Sequence, residues 1–154
     1  MLDRLPAIQH PEYLHPLTPS NINEEVTADV NELLQTLSSD TPAVSLQELR
    51  AIIGSQQSQL YIYRCYGIAV GMFTIVTAPA LTGRKAWLED VAVVPRHQGK
   101  GYGRKLIQLA RREAHCLGAT TLQLTSRPKR KIANRLYQAT GFTQRETNVY
   151  RLEL

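Results

Sequence analysis

The sequence predicts an α/β fold on a mixed central sheet, with elements in the order β-α-α-β-β-β-α-β-α-β-β. Three observations carry this. Residues 60–94 hold three runs rich in β-branched, aromatic and other apolar residues at short spacing, the pattern of an antiparallel meander. The last run leads through a glycine-rich turn into helical spacing, so a helix follows the meander. Two amphipathic helical patterns precede it and supply a cover for one sheet face.

The elements follow in order. Ala7 to Leu17 contains Pro11 and Pro16 and is expected to be an irregular or edge strand. Asn21 is a candidate helix cap with Glu24 three residues on, and Ile22, Val26, Val30, Leu33, Leu34 and Leu37 recur at helical spacing. That helix should end near Ser38-Ser39-Asp40, before Pro42. Ser45-Leu46-Gln47-Glu48 is a capping box for a shorter helix stopped by Gly54. Leu60–Tyr66 and Ile68–Thr77 form a hairpin about Gly67, and Lys85–Val94 is the next strand, with the only tryptophan, Trp87. The helix after the glycine turn should reach Leu117, with Gly118 as its stop. Thr121–Thr125 is a strand, Pro128 opens a helix over Lys129–Thr140, Gly141 ends it, and Phe142–Leu154 supplies one or two final strands.

A length of 154 residues suits one domain over 1–154 with a real core. Apolar residues make up 43% and charged residues 20%, as in ordinary globular proteins, and no run approaches the roughly 18 apolar residues of a membrane span. Met1-Leu2-Asp3-Arg4-Leu5-Pro6 lacks a basic region followed by an apolar stretch, so no signal peptide is expected. Cys65 and Cys116 form no C-x-x-C pair and have no histidine at metal-ligand spacing. They are expected to be reduced, mostly buried thiols in a cytoplasmic protein. His10, His15, His97 and His115 form no pair, and no metal is expected.

The net charge of +5 is unevenly spread. Residues 1–60 carry two basic and eight acidic residues, a sum of −6, whereas residues 61–154 sum to +11. A basic half suits nucleic acid or a polyphosphate. The first is disfavoured because no aromatic residues interleave with the Lys and Arg clusters, as they do in single-strand readers.

The turn itself is Gln98-Gly99-Lys100-Gly101-Tyr102-Gly103-Arg104. Glycines let a ligand approach backbone N–H groups. A helix start leaves about four such groups unpaired, with partial positive charge, which makes an anion site. Lys100, Arg104 and Lys105 add full charges. A Walker A loop fails, because Arg104 stands five positions after Gly99. A dinucleotide turn fails too, because Arg104 or Leu106 occupies the third glycine position. What fits is Q/R-x-x-G-x-G/A, on Gln98, Gly101 and Gly103.

That pattern resembles motif A of the GNAT superfamily, the acyl-CoA-dependent N-acyltransferases. Leu136-Tyr137-Gln138-Ala139-Thr140-Gly141-Phe142 is similar to the family's L-Y-x-x-x-G-F helix end. The resemblance implies the GNAT fold and an N-acetyltransferase using acetyl-CoA as acyl donor, with an amine as acceptor and no membrane partner. A homodimer is left open. It also implies a site. The backbone of Val91, Ala92 and Val93 should pair with the pantetheine arm, and the N–H groups from Gln98 through Gly99, Lys100, Gly101, Tyr102 and Gly103 to Arg104 should hold the pyrophosphate. The strand carrying motif A should splay from Thr121–Thr125. The N–H of Val91 or a neighbour should polarise the thioester carbonyl. Tyr137 matches the tyrosine placed near the cofactor sulfur as general acid.

Glu89 and Asp90 are the only carboxylates in the motif A strand, so either could accept the amine proton, directly or through water. Alternation puts Glu89 on the face of Val91 and Val93, and Asp90 on the other. Many relatives carry an Asn seven residues before the tyrosine to bind the cofactor. Here that position is Arg130, and Asn134 could substitute. Lys129-Arg130-Lys131 could reach the 3′-phosphate or form a solvated helix face. No cysteine lies in either motif, which favours direct transfer in a ternary complex over an acyl-enzyme. The rival is an acyl-CoA-binding regulatory or interaction domain without catalysis. The acceptor's identity is not legible, since the segments expected to border its pocket, 21–54 and 78–84, carry no motif.

Overall fold

The computed structural model describes residues 11–154. Residues 7–10 of the first expected strand, His10 and the segment read for a signal peptide lie outside them. The chain forms two compact units, Met1–Leu124 and Thr125–Leu154.

In the first unit five strands lie in chain order: β1 (Glu12–Pro16), β2 (Ser58–Cys65), β3 (Ile68–Ala78), β4 (Lys85–Val93) and β5 (Thr121–Gln123). The first four pair antiparallel and β5 joins β4 in parallel, so the sheet is mixed as expected. Pro16 closes the edge strand β1, a place that tolerates its missing N–H. Tyr66 (φ 50°) and Gly67 (φ 81°) make the two-residue turn between β2 and β3, both in the left-handed region such turns require.

Two helices, α1 (Glu24–Leu37) and α2 (Leu46–Gly54), bury one face. Ile22 and α1's Val26, Val30 and Leu33 meet Leu49 and Ile53 of α2 over Leu60, Ile62, Met72, Ala92 and Val94. A 14-residue helix is marginal alone. Each buried Val or Leu contributes about 1.5–3 kcal/mol, so packing rather than propensity holds α1. Its cap is Asn23, whose side chain accepts from the Val26 N–H at 2.9 Å, not Asn21. The Asn21 amide instead accepts from Thr18 N–H and donates to the Pro16 carbonyl, bracing the entry loop. The capping box of Ser45 and Glu48 forms as read, and it lowers the Glu48 carboxyl below its ordinary value.

The opposite face carries α3 (Tyr102–Cys116), which buries Leu106, Ile107, Ala110 and Ala114 and packs on β3 and β4. Gly71 makes this approach possible. A Cβ there would lie 2.8 Å from Leu106 Cδ1 and 2.9 Å from the Ala92 carbonyl oxygen. Gly71→Ala is therefore expected to cost about 1–3 kcal/mol by overpacking. The measure is the denaturant midpoint at constant m; an unchanged midpoint would mean that sheet and helix relax freely.

The second unit holds α4 (Lys131–Ala139), ended by Gly141 at φ 98°. It starts later than Pro128 suggests, because Pro128 and Lys129 form a turn before it. The order of elements agrees with expectation as far as α4. The expected final strands do not appear: residues 142–154 carry no strand. Both cysteines are free, and Cys116 is exposed rather than buried because it ends α3 on the solvent side. Among the described residues, no helix is long and apolar enough to cross a membrane.

Candidate functional site

The C-terminal half of β4 departs from a regular strand in two ways. Ala92 pairs with Met72 and Glu89 with Thr74, so three steps along β4 match two along β3. The extra residue is a bulge in which Asp90 and Val91 oppose Phe73 alone, and Asp90 takes φ 54°. Aspartate tolerates that left-handed geometry better than most residues. The bulge overturns the expected alternation. Glu89 shares the face of Thr74, Met72 and Ala92, toward α1, while Val93 pairs with Gly71 on the α3 face and Val91 lies on that face too. Glu89 and Asp90 are both exposed, and partial burial, then the Asp90 charge, raise the Glu89 carboxyl above its ordinary value.

The second departure is on the other side of β4. Its parallel ladder with β5 runs through Lys85–Thr121 and Ala86–Leu122 and stops at Trp87–Gln123. Beyond Trp87, β4 has no ladder partner on that side among the described residues. A strand in this condition offers backbone donors and acceptors to a ligand.

After β4 the chain makes a short 3-10 turn, Pro95–His97, and the glycine turn begins. Gln98 braces it: its side-chain Nε2 donates to the Val93 carbonyl at 2.9 Å, and its own N–H donates to the Pro95 carbonyl. The Gln98 N–H is thus engaged within the turn, unlike the expectation that it faces a pyrophosphate. Gly99 (φ 75°) and Gly101 (φ 87°) are both left-handed, and a Cβ on either would point into open space. Gly101 is the cap residue of α3, and no side chain caps that helix. Lys100, Arg104 and Lys105 are exposed around this end. An uncapped 15-residue helix with basic side chains at its start suits an anion.

Tyr102 anchors the turn to the sheet. Its hydroxyl donates to Cys65 Sγ at 3.6 Å, and its ring lies 6.0 Å from that of Tyr63 and 5.8 Å from that of His97. The bond to Cys65 raises the Tyr102 phenol above its usual value. Tyr63 in turn donates to Glu12 at 2.6 Å; burial, and after it this bond, raises its phenol well above the usual value. On the α1 side, Arg96 pairs with Glu32 at 2.5 Å and ties the start of the turn to α1. Sequence reading found none of the bonds of Tyr102 to Cys65, Tyr63 to Glu12 and Arg96 to Glu32, because they join residues far apart in the chain. Only Asp90 had a local signal, its residue type.

The first unit therefore brings together Glu89, Val91–Val93 and the Gln98–Arg104 turn. The second unit carries Asn134 and Tyr137 on α4. Tyr137 is buried, and Phe142 folds back on it, edge to face at 5.9 Å, with its N–H donating to the Tyr137 carbonyl. Asn134 Nδ2 donates to the Arg127 carbonyl at 3.0 Å, which leaves its Oδ1 as the atom suited to accept from a ligand. Arg130 caps α4 without a side-chain bond, and the Lys129–Lys131 run is exposed. Among the described residues, no group of three or more His, Cys, Asp or Glu is placed to hold a metal ion.

Residues 28–142 match the Acetyltransferase (GNAT) family. Comparison with curated proteins finds no match. Among solved structures, a putative acetyltransferase from Agrobacterium tumefaciens shares 22% identity at TM-score 0.78, over 92% of this chain and 99% of its own. An aminoglycoside acetyltransferase from an uncultured soil metagenomic sample shares 15% at TM-score 0.79, over 96% and 98%. An aminoglycoside N-acetyltransferase in complex with CoA shares 18% at TM-score 0.77, over 97% and 99%. At these identities the likeness is one of fold.

Proposed function

Because this chain belongs to the Acetyltransferase (GNAT) family, we propose that it is an N-acetyltransferase that moves the acetyl group of acetyl-CoA to a primary amine, by direct transfer in a ternary complex. The observation that carries this reading is the end of β4, unpaired on one side and running into the uncapped start of α3. In this proposal the whole chain is one transferase domain, and the two free thiols support a cytoplasmic setting.

The N–H groups of Gly99 to Arg104 bind the pyrophosphate, with Lys100 and Arg104 adding charge. The backbone of Val91, Ala92 and Val93 pairs with the pantetheine amides, and the Val91 N–H polarises the thioester carbonyl. The neutral amine attacks the carbonyl carbon, the C–S bond breaks, and Tyr137 gives its proton to the departing sulfur. Glu89, Asp90 or a water takes the proton from the amine. Asn134 Oδ1 accepts from the cofactor. Because two structural relatives are named as aminoglycoside acetyltransferases, aminoglycosides belong in any set of trial acceptors.

The test is a panel of amines, including aminoglycosides, polyamines, amino acids and peptide N-termini, scored by CoA release. At least one is expected to give turnover. If acetyl-CoA bound tightly and no amine released CoA, the non-catalytic acyl-CoA-binding reading would replace this one.

Glu89 sets a pH expectation. Its raised pKa means the folded protein holds this proton more tightly than the unfolded chain. Any stability it lends is full below the ordinary carboxylate range and is lost as pH rises through the raised value. As base, it is disabled as pH falls through that same value, so the acid limb of activity lies above that of an ordinary glutamate. Glu89→Gln is expected to depress turnover wherever wild-type Glu89 is ionised, most toward the lower end of that range where more of the acceptor amine is protonated, to converge with wild type as pH falls through the raised value, and to leave stability at neutral pH unchanged or slightly higher. The pH–rate profiles of both proteins check this; superimposable profiles would remove Glu89 from the chemistry.

A further inference from the structure

We propose that Lys85, Trp87 and Glu89 form the acceptor subsite, and that it selects an amine carrying a carboxylate or phosphate across a ring-sized body. This rests on the transferase reading above and names a substrate class for that site. β4 is regular from Lys85 to Glu89, whose alternate residues pair with Ala78, Val76 and Thr74 of β3. Alternate residues of a strand share a face. Lys85, Trp87 and Glu89 therefore stand in one row on the side toward α1, neighbours about 7 Å apart. The row holds a cation, an aromatic ring and an anion, in that order. Trp87 lies between Val76 of β3 and Gln123 of β5, and all three are half-buried, so the indole is a part-open floor. Leu60 and Ile62, under α1 and α2, are sealed by contrast. Among the described residues, neither Lys85 nor Glu89 has an ion-pair partner, and the Trp87 indole N–H has no acceptor. α1, which packs on β4, carries no basic residue, and its Asp29 and Glu32 are held by Arg64 and Arg96.

The row continues the line of the donor. In the proposed site the pyrophosphate lies at the start of α3 and the thioester at Val91. The acyl carbon then lies toward Glu89, and the cleft beside β4 closes at the Trp87–Gln123 pair. An amine that gives its proton to Glu89 has its body over Trp87, and its far end reaches Lys85. The two charged residues are about 14 Å apart at the backbone, and their side chains can lean inward over one ring. An α-amino acid, with a single carbon between its charges, is too short to meet both. A second cation at the far end is repelled by Lys85, whereas an anion is paired. The indole adds stacking and apolar contact to the ring between. Specificity is a difference of affinities, and Lys85 supplies both the attraction and the repulsion.

Three primary amines with the same ring test this on the full chain: para-aminomethylbenzoate, benzylamine and para-xylylenediamine, whose far ends are anionic, neutral and cationic. Trp87 is the only tryptophan, so its emission in the presence of CoA reports binding without turnover. CoA release from acetyl-CoA is measured beside it. The benzoate is expected to bind about five- to tenfold more tightly than benzylamine, and the diamine more weakly than either. Lys85→Gln should level the three affinities, and Lys85→Glu should reverse their order. A residue that only held the sheet together would lower all three alike. Trp87→Ala should raise KM for all three about two- to tenfold, and Trp87→Phe should restore most of the loss. If amines turn over but the benzoate has no advantage, or its advantage survives both Lys85 variants, the proposal is overturned while the transferase reading stands. If the benzoate binds with a preference that depends on Lys85, yet no amine releases CoA, the subsite stands and the transferase reading fails. If none of the three amines changes the emission or is turned over, the proposal is overturned.

Discussion

Gly101→Val is expected to abolish the rise in melting temperature that acetyl-CoA gives the wild-type protein. A ligand bound only by the native state at a hundred times its Kd stabilises by about 2.7 kcal/mol. In a chain of this size that is a shift of about 5–10 °C. Gly101 stands at φ 87° as the cap residue of α3. A β-branched side chain is an outlier there, and the strain is of order 1–3 kcal/mol. The Cβ would point into open space, so the side chain enters the volume that the proposed pyrophosphate needs without striking the protein itself. The variant is therefore expected to fold, with a lower melting temperature of its own and no response to acetyl-CoA. A wild-type shift in the folded variant would remove the turn from the site.

Tyr137→Phe is expected to keep acetyl-CoA affinity within a few-fold and to lose at least about tenfold in turnover. General acid–base groups contribute about 10²–10⁴-fold, and the lower bound allows water to replace the phenol in part. The substitution preserves the ring that packs edge-on to Phe142 and removes one hydroxyl. A fall in turnover with binding intact is the mark of a group that acts in the transition state. The measurement is single-turnover CoA release with an accepted amine, beside a binding isotherm. Wild-type turnover with chemistry rate-limiting would exclude Tyr137 as the acid.

What the sequence made legible was whatever a local pattern decides. Ser45 and Glu48 sit three residues apart, and the capping box they announce is there. Gly67, Gly118 and Gly141 take the left-handed angles that their places at turns and helix ends suggest. The glycine turn between β4 and α3 lies where the motif put it. Long-range relations were not legible. The bulge at Asp90 leaves no gap in the pattern, because an added residue changes the face of Glu89 without changing the strand's composition. The bonds of Tyr102 to Cys65 and of Arg96 to Glu32 depend on how elements pack. The tail reads as a strand because its side chains alternate, but a strand also needs a neighbour, which its own sequence does not describe.

The strands lie across the sheet in the order in which they occur along the chain. During synthesis from the N-terminus, each new strand finds the one it pairs with already made. The hairpin of β2 and β3 closes through a two-residue turn and requires little loop entropy, and β4 adds to it across a short loop. Two pairings wait for long connections, β1 with β2 across residues 17–57 and β4 with β5 across residues 94–120, and the second of these ladders is only three residue pairs long. The sheet is thus largely assembled before its weakest seam is added, and that seam borders the unpaired half of β4 on which the proposed chemistry rests.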